Sequence, residues 1–302
     1  MSDVSPLPPA LRASILAWYG QRGRPLAFRR TRDPYAVLVS EAMAQQTQAA
    51  RAAEAWERFM VRFPTVEVLA SASLADVLRE WQGLGYDRRA RNLWRAAGQI
   101  VADHDGRVPS DITALEALPG VGPYTARAVA SIAFGVPVGA VDTNVRRVLG
   151  RIVAGDASRL TTREVQAVAD ASVPREEPGA WTHALMDLGA TTCRAAKADC
   201  AVCPARPWCE FAARGAVVRR VRIAREGPAP FRSTTRWLRG RILDRLRAAP
   251  AAGWTTIEAP LGDHDTDSVA RTLDALAADG LIDLDGVGRS TDGIRRARLR
   301  MG

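Results

Sequence analysis

The chain has 302 residues, 47% of them hydrophobic, which is room for about two domains and a sizeable core. Its net charge of +9 favours an anionic partner such as nucleic acid, and with one lysine (Lys197) against 41 arginines, lysine Schiff-base chemistry has almost nowhere to act. The longest uncharged run, residues 128–141, is short and broken by Pro137, and residues 1–9 are unlike a signal peptide, so a cytoplasmic protein without a membrane span is expected.

In chain order, residues 7–20 carry apolar side chains at helical period (Leu11, Ile15, Leu16, Trp18, Tyr19), and a basic connector over 22–30 follows. Asp33-Pro34 opens the next helix, with proline where no amide is needed. That helix carries Glu41 among Val37, Leu38, Val39, Ala42 and Met43, a setting that raises a carboxyl pKa, unless the glutamate lies on a solvated face. Four polar residues, Gln45-Gln46-Thr47-Gln48, end it oddly for a core helix, and glutamines of this kind can fill the space left by an extruded base. The spacing predicts further helices over 49–63 and 66–80, then a loop with two glycines bearing Leu84 and Tyr86 ahead of an arginine-rich helix. A wedge backed by a basic helix is one way to unstack a duplex, although an ordinary loop fits the same residues.

The central stretch is 118–149. Leu118-Pro119-Gly120-Val121-Gly122 is a tight glycine turn leading into a helix, and its amides make a donor site suited to phosphate. Asp142 opens a second helix with apolar positions Val145, Val148, Leu149 and Ile152. A phosphate clamp beside a carboxylate describes an enzyme that grips a DNA backbone and works on a sugar; a plain turn with a capping aspartate is the alternative. Helices over 161–171 and 178–190 precede Cys193-x6-Cys200-x2-Cys203-x5-Cys209. Four clustered thiols in an intracellular chain point to metal rather than disulfides, and four cysteines with a single close pair suit a [4Fe–4S] cluster better than zinc. Beyond them, residues 214–247 hold eleven arginines against Glu226 and Asp244. A linker at 226–232 leads to a small domain over 233–302, with a hairpin of 281–284 and 294–300 across Gly286-Val287-Gly288, an order weakly like a winged helix that either holds DNA or caps the chain.

Taken together in this order, residues ~10–212 resemble the MutY-type adenine DNA glycosylases of the helix-hairpin-helix superfamily. The carriers are Ser40-Glu41 through Gln48, Gly83-Leu84-Gly85-Tyr86, Leu118 to Gly122, Val141-Asp142-x-Asn144-Val145, Met186-Asp187-Leu188-Gly189 and the cysteine array, whose spacing is also that of endonuclease III. The resemblance implies an all-α fold of two helical subdomains, 31–140 as a barrel with the hairpin and 1–30 with 141–225 bearing the cluster loop, plus the small α+β domain. It implies a monomeric base excision repair enzyme on double-stranded DNA, nucleoid-associated, cleaving adenine from mispairs with 8-oxoguanine or guanine. Departure of a purine has an oxocarbenium-like transition state, so two carboxylates divide the work. Glu41 is the acid toward purine N7 and Asp142 the stabiliser, with Asn144 orienting it and Tyr124 where bifunctional relatives carry the Schiff-base lysine. Phe28, Arg29 and Asp187 fall where the family contacts the flipped base; Gln45, Gln46, Thr47, Leu84 and Tyr86 fall on the duplex.

Three departures stand out. Leu26-Ala27-Phe28 replaces the family's Leu-Pro-Trp, and Asp142-Thr143-Asn144 replaces Asp-Gly-Asn, as in mismatch thymine glycosylases. The last ~75 residues are too few for the MutT-like domain that senses 8-oxoguanine in many members. Excision of hypoxanthine or mispaired thymine, or a non-catalytic cluster-bearing DNA binder, therefore stay as alternatives.

Overall fold

The computed structural model describes residues 5–216, 230–250, 253–285 and 294–302. The first part of the 226–232 linker and the Gly286-Val287-Gly288 turn lie outside the described residues. The helices run α1 (Pro9–Arg22), α2 (Pro34–Ala44), α3 (Ala49–Arg62), α4 (Val66–Ser71), α5 (Leu74–Glu80), α6 (Arg88–Asp103), α7 (Ile112–Glu116), α8 (Pro123–Phe134), α9 (Thr143–Ala154), α10 (Thr162–Ala171), α11 (Pro178–Asp187) and α12 (Glu210–Ala213). Then come α13 (Thr235–Ala248), β1 (Thr255–Glu258), α14 (Thr266–Ala278), β2 (Ile282–Leu284) and β3 (Ile294–Leu299). Among the described residues the fold is helical with one small sheet, and no helix is long and apolar enough to cross a membrane.

Packing divides the chain into two compact units, residues 1–41 with 108–222 and residues 42–107 with 223–302. In the first, α1, α9, α10 and α11 bury Leu11, Ile15, Val145, Val148, Leu149, Val165 and Trp181 in one apolar cluster, which fixes the start of α9 and the end of α11. Asp33 starts α2 by accepting from the Ala36 amide at 2.7 Å, with Pro34 at the first helical position. Gly135, at φ +68°, ends α8 in the left-handed conformation that favours glycine.

In the second unit, α3, α5 and α6 bury Phe59, Phe63, Leu78, Trp81 and Ile100. The single helix expected over 66–80 is two helices. Ser73 breaks it by capping α5, its hydroxyl accepting from the Asp76 amide at 3.1 Å. The small domain runs helix, strand, helix, strand, strand, and β3 lies between β1 and β2 with both pairings antiparallel. β2 and β3 are the expected hairpin, whereas β1 has no counterpart in the sequence reading. Its segment, Thr255-Thr256-Ile257-Glu258, buries only Ile257 and shows too little alternation to announce itself.

Candidate active site

Glu41 lies near the C-terminal end of α2 with 7% of its surface exposed. Its carboxyl is pushed up to about 7, chiefly by burial and further by the charge of Asp142, against a hydrogen bond from Tyr124 and the charge of Arg29. Burial first, then the carboxylates of Glu41 and Asp142, hold the Tyr124 hydroxyl well above its ordinary value, so it stays a donor. That hydroxyl also lies 3.7 Å from the Met186 sulfur. Glu41, Tyr124, Asp142 and Arg29 thus form one electrostatic group.

Asp142 is the N-cap of α9. Its Oδ1 accepts from the Val145 amide at 2.7 Å and its Oδ2 from Asn144 Nδ2 at 2.8 Å, which keeps the carboxylate at the positive end of the helix. Asn144 Oδ1 accepts from Arg147 at 2.9 Å, and Arg147 donates to the Gly189 carbonyl at 2.6 Å and to the Cys193 carbonyl at 2.8 Å. Hydrogen bonds therefore run without a gap from Asp142 to the first cysteine. Gly189 is required here because a Cβ on it would stand 2.6 Å from the Asn144 Cβ. The chain passes this point in a π-helical turn over Leu188–Thr192, so the helix expected to continue to 190 widens as it reaches Cys193.

Asp187 has no exposed surface, and both its oxygens are occupied. Arg29 binds it in a fork, Nη1 to Oδ2 at 2.5 Å and Nη2 to Oδ1 at 2.7 Å, while Arg24 donates its amide at 2.8 Å and its Nε at 2.7 Å. Burial raises the Asp187 carboxyl, but the bonds and charges of the two arginines outweigh it and hold it below its ordinary value. Asp187 thus anchors Arg29 and Arg24 and offers no free oxygen to a base. Phe28 is buried beside Arg29 in sequence. Sequence reasoning missed Arg24 and His183. His183 stacks on Tyr19 with centroids 6.4 Å apart, and burial, then the charge of Arg29, push it down to about 3, so it is neutral. The signal was available, since His183 stands four residues before Asp187 on the same helix face.

At the glycine turn, Leu118 and Val121 are buried and the Val121 amide donates to the Leu118 carbonyl at 3.1 Å. Gly120 is exposed at φ +80°, a conformation glycine adopts without strain. Gly122 caps α8 with Pro123 at the first helical position, leaving the first helix amides without intrahelical partners.

The residues expected on the duplex lie in the other unit. Arg89 ties their two loops together, donating to the carbonyls of Ala42, Met43, Gln45, Leu84 and Gly85 and to the Thr47 hydroxyl at 3.1 Å. Burial pushes its guanidinium down to about 10, which leaves it charged at neutral pH. Gln46 is exposed at φ +52° and Tyr86 is 43% exposed at φ +49°. Of the two side chains expected as the wedge, Leu84 is only 4% exposed, so Tyr86 is the one presented.

The four cysteines are unpaired and line one cavity with Val148, Arg151, Ile152, Leu188, Arg206 and Phe211. Arg151 is buried there, donating to the Cys193 sulfur at 3.3 Å and to the Arg194 carbonyl at 3.0 Å while its guanidinium lies 4.7 Å over the Phe211 ring. Among the described residues no three His, Cys, Asp or Glu side chains are grouped as they would be around a single metal ion.

The family model of the HhH-GPD superfamily base excision DNA repair proteins matches residues 39–174. The adenine DNA glycosylase of Mycobacterium tuberculosis H37Rv is 42% identical over 285 residues, covering 89% of each chain. That of Mycolicibacterium smegmatis is 38% identical, covering 91% of this chain and 93% of its own. The human adenine DNA glycosylase is 42% identical over 66% of this chain and 39% of its own. Coverage as long as the mycobacterial one takes in part of the small C-terminal domain. Among solved structures, a thermostable thymine-DNA glycosylase superposes with a TM-score of 0.63 at 29% identity, over 67% of this chain and 95% of its own. Endonuclease III in a non-covalent complex with DNA superposes with a TM-score of 0.59 at 26% identity, over 68% and 94%. The chain therefore belongs to the MutY-type adenine DNA glycosylase family of helix-hairpin-helix base excision repair proteins.

Proposed function

We propose that the chain binds double-stranded DNA as a monomer and hydrolyses the N-glycosidic bond of adenine mispaired with 8-oxoguanine or guanine, leaving an abasic site. The observation that carries this reading is the contrast between the two carboxyl groups. Glu41 is held protonated close to neutrality, and Asp142 is tied to the N-terminus of α9. Glu41 delivers its proton to purine N7, which converts adenine into a leaving group. The electron pair of the C1′–N9 bond departs with the base, and Asp142 faces the positive charge left on the sugar. Glu41, then ionised, takes a proton from the water that adds to C1′. Tyr124 stays protonated and donates to Glu41, which steadies the ionised form between the two steps. Arg29, fixed by Asp187, sets the wall of the base pocket with Phe28. The hairpin from Leu118 to Gly122 grips phosphate with the free amides at the start of α8, and Gln45, Gln46, Thr47 and Tyr86 fill the duplex where the base has left.

No lysine is placed for a Schiff base. Lys197 is exposed in the cysteine loop, and position 124 is tyrosine. The reaction is accordingly monofunctional.

Cys193, Cys200, Cys203 and Cys209 hold a [4Fe–4S] cluster in this reading. A four-iron cluster takes its thiolates at separate corners, so its ligands stand wider apart than those of one ion, which suits four thiols around a cavity backed by Val148, Ile152 and Phe211. When bound, the cluster cross-links residues 193–209 and supplies a one-electron centre. Iron and sulfide in stoichiometric amounts in anaerobically purified protein are expected; stoichiometric zinc without iron would reject the assignment.

Thr143, with the superposition on a thymine-DNA glycosylase, favours mispaired thymine as a second reading. One excision panel separates the two, using adenine, hypoxanthine, uracil and thymine opposite each base and 8-oxoguanine. Adenine released from its mispairs, with strand breakage only after alkali, supports the proposal. Release of thymine in place of adenine, or a stoichiometric covalent complex trapped by borohydride, would refute it.

A further inference from the structure

The loop bearing Tyr86 does not stand alone in its unit. It forms one side of a cleft of about 730 Å³ whose other side is α13 and the residues just before it. Seven arginines and three aspartates line this cleft. Most of the charge is already matched, since Arg88 and Arg239 pair with Asp279, and Arg241 and Arg247 with Asp244. Arg51 and Arg236 are exposed and form no ion pair among the described residues. The Arg236 guanidinium lies 4.5 Å over the Tyr86 ring, and Arg89 covers the same ring at 5.7 Å. Phe231 is 62% exposed at the rim.

From composition alone the small domain offers phosphate contacts only. Its placement against Tyr86 and Gln46 adds a second capability. An arginine stacked on an aromatic ring keeps its in-plane donors free, and they lie at the edge of the ring rather than over its face. An exposed phenylalanine at the same rim supplies an apolar face for an unstacked base. Unpaired guanidinium groups, aromatic faces and an exposed glutamine together match a nucleotide better than an acidic peptide, which would leave the rings unused.

We infer that α13 and Phe231 form the second wall of the duplex-probing site, where Arg236 and Phe231 engage the nucleotide opposite the excised base. This rests on the glycosylase reading above. The acceptor for Arg236 is an oxygen of that nucleotide, on its phosphate or on its base edge.

The test uses the full chain and a duplex whose adenine carries a 2′-fluoro sugar that resists hydrolysis, opposite guanine or 8-oxoguanine. Dissociation constants are measured across a salt series for wild type, Arg236→Ala, Phe231→Ala and the charge control Arg58→Ala, an exposed residue outside the cleft. Both cleft variants are exposed positions that leave the core intact. Each is expected to weaken binding about tenfold beyond the control. If Arg236 meets a phosphate, both duplexes weaken equally and the salt slope falls by about 1. If it meets the base edge, the ratio between the two duplexes changes instead. Cleft variants that behave like Arg58→Ala while wild type still excises adenine would overturn this inference alone. A wild type that neither binds the mispairs nor excises adenine would overturn the glycosylase reading with it.

Discussion

Glu41 and Asp142 are the same functional group in two environments. Burial raises one to about 7, while the other is tied to the Val145 amide and Asn144. A group raised in this way is protonated in the fold while the unfolded chain has already lost the proton. Its contribution to stability is therefore full below its ordinary value near 4.5 and lost as pH rises to about 7. Glu41→Gln should accordingly match wild type in thermal stability at pH 4 and exceed it at pH 8, by up to about 3 kcal/mol. The same variant should lose base excision while still binding a mispaired duplex, since the proposed function places binding on phosphate contacts and arginines elsewhere. Single-turnover rates with parallel binding isotherms check this, and an unchanged rate would remove Glu41 from the mechanism. The apolar neighbours of Glu41 made its raised carboxyl pKa legible in sequence. The pairing of Asp187 was not legible, because nothing in its local pattern shows that Arg24 and Arg29, more than 150 residues away, occupy both its oxygens.

At the scale of elements, the helices could be read because apolar period and capping residues agree, as at Asp33-Pro34 and Asp142. Boundaries failed where a single side chain decides them. Ser73 splits one expected helix by its hydroxyl, and the π-turn at Leu188–Thr192 follows from packing on α9 rather than from propensity. That turn carries a prediction. In Gly189→Ala the added methyl would stand 2.6 Å from the Asn144 Cβ, so either the turn or Asn144 must shift. The expected result is a loss of about 1–3 kcal/mol in stability with at least a tenfold fall in excision rate, since Asn144 holds Asp142. Wild-type melting and wild-type single-turnover rates in that variant would show that the close approach has no bearing on the site.

For the whole molecule, composition indicated a basic extra domain, but not that it packs with residues 42–107 into one unit. The contacts are long-range and invisible to local pattern. The Leu74 amide donates to the Met301 carbonyl at 2.9 Å, Arg247 donates to the Leu78 carbonyl at 2.9 Å, and Arg247 pairs with Asp87. A chain ending at residue 229 would leave these partners unpaired, and differential scanning calorimetry should show melting lowered by about 5 °C or more. An unchanged melting temperature would mean that the small domain is merely tethered. The claim on which the rest depends is that Glu41 enters the reaction as an acid. It is tested most directly by the pH dependence of single-turnover adenine excision under saturating enzyme. The rate constant should be level at acidic pH and fall about tenfold per unit above an apparent pKa of about 7. A rate that stays level to pH 9, or rises with pH, would contradict it.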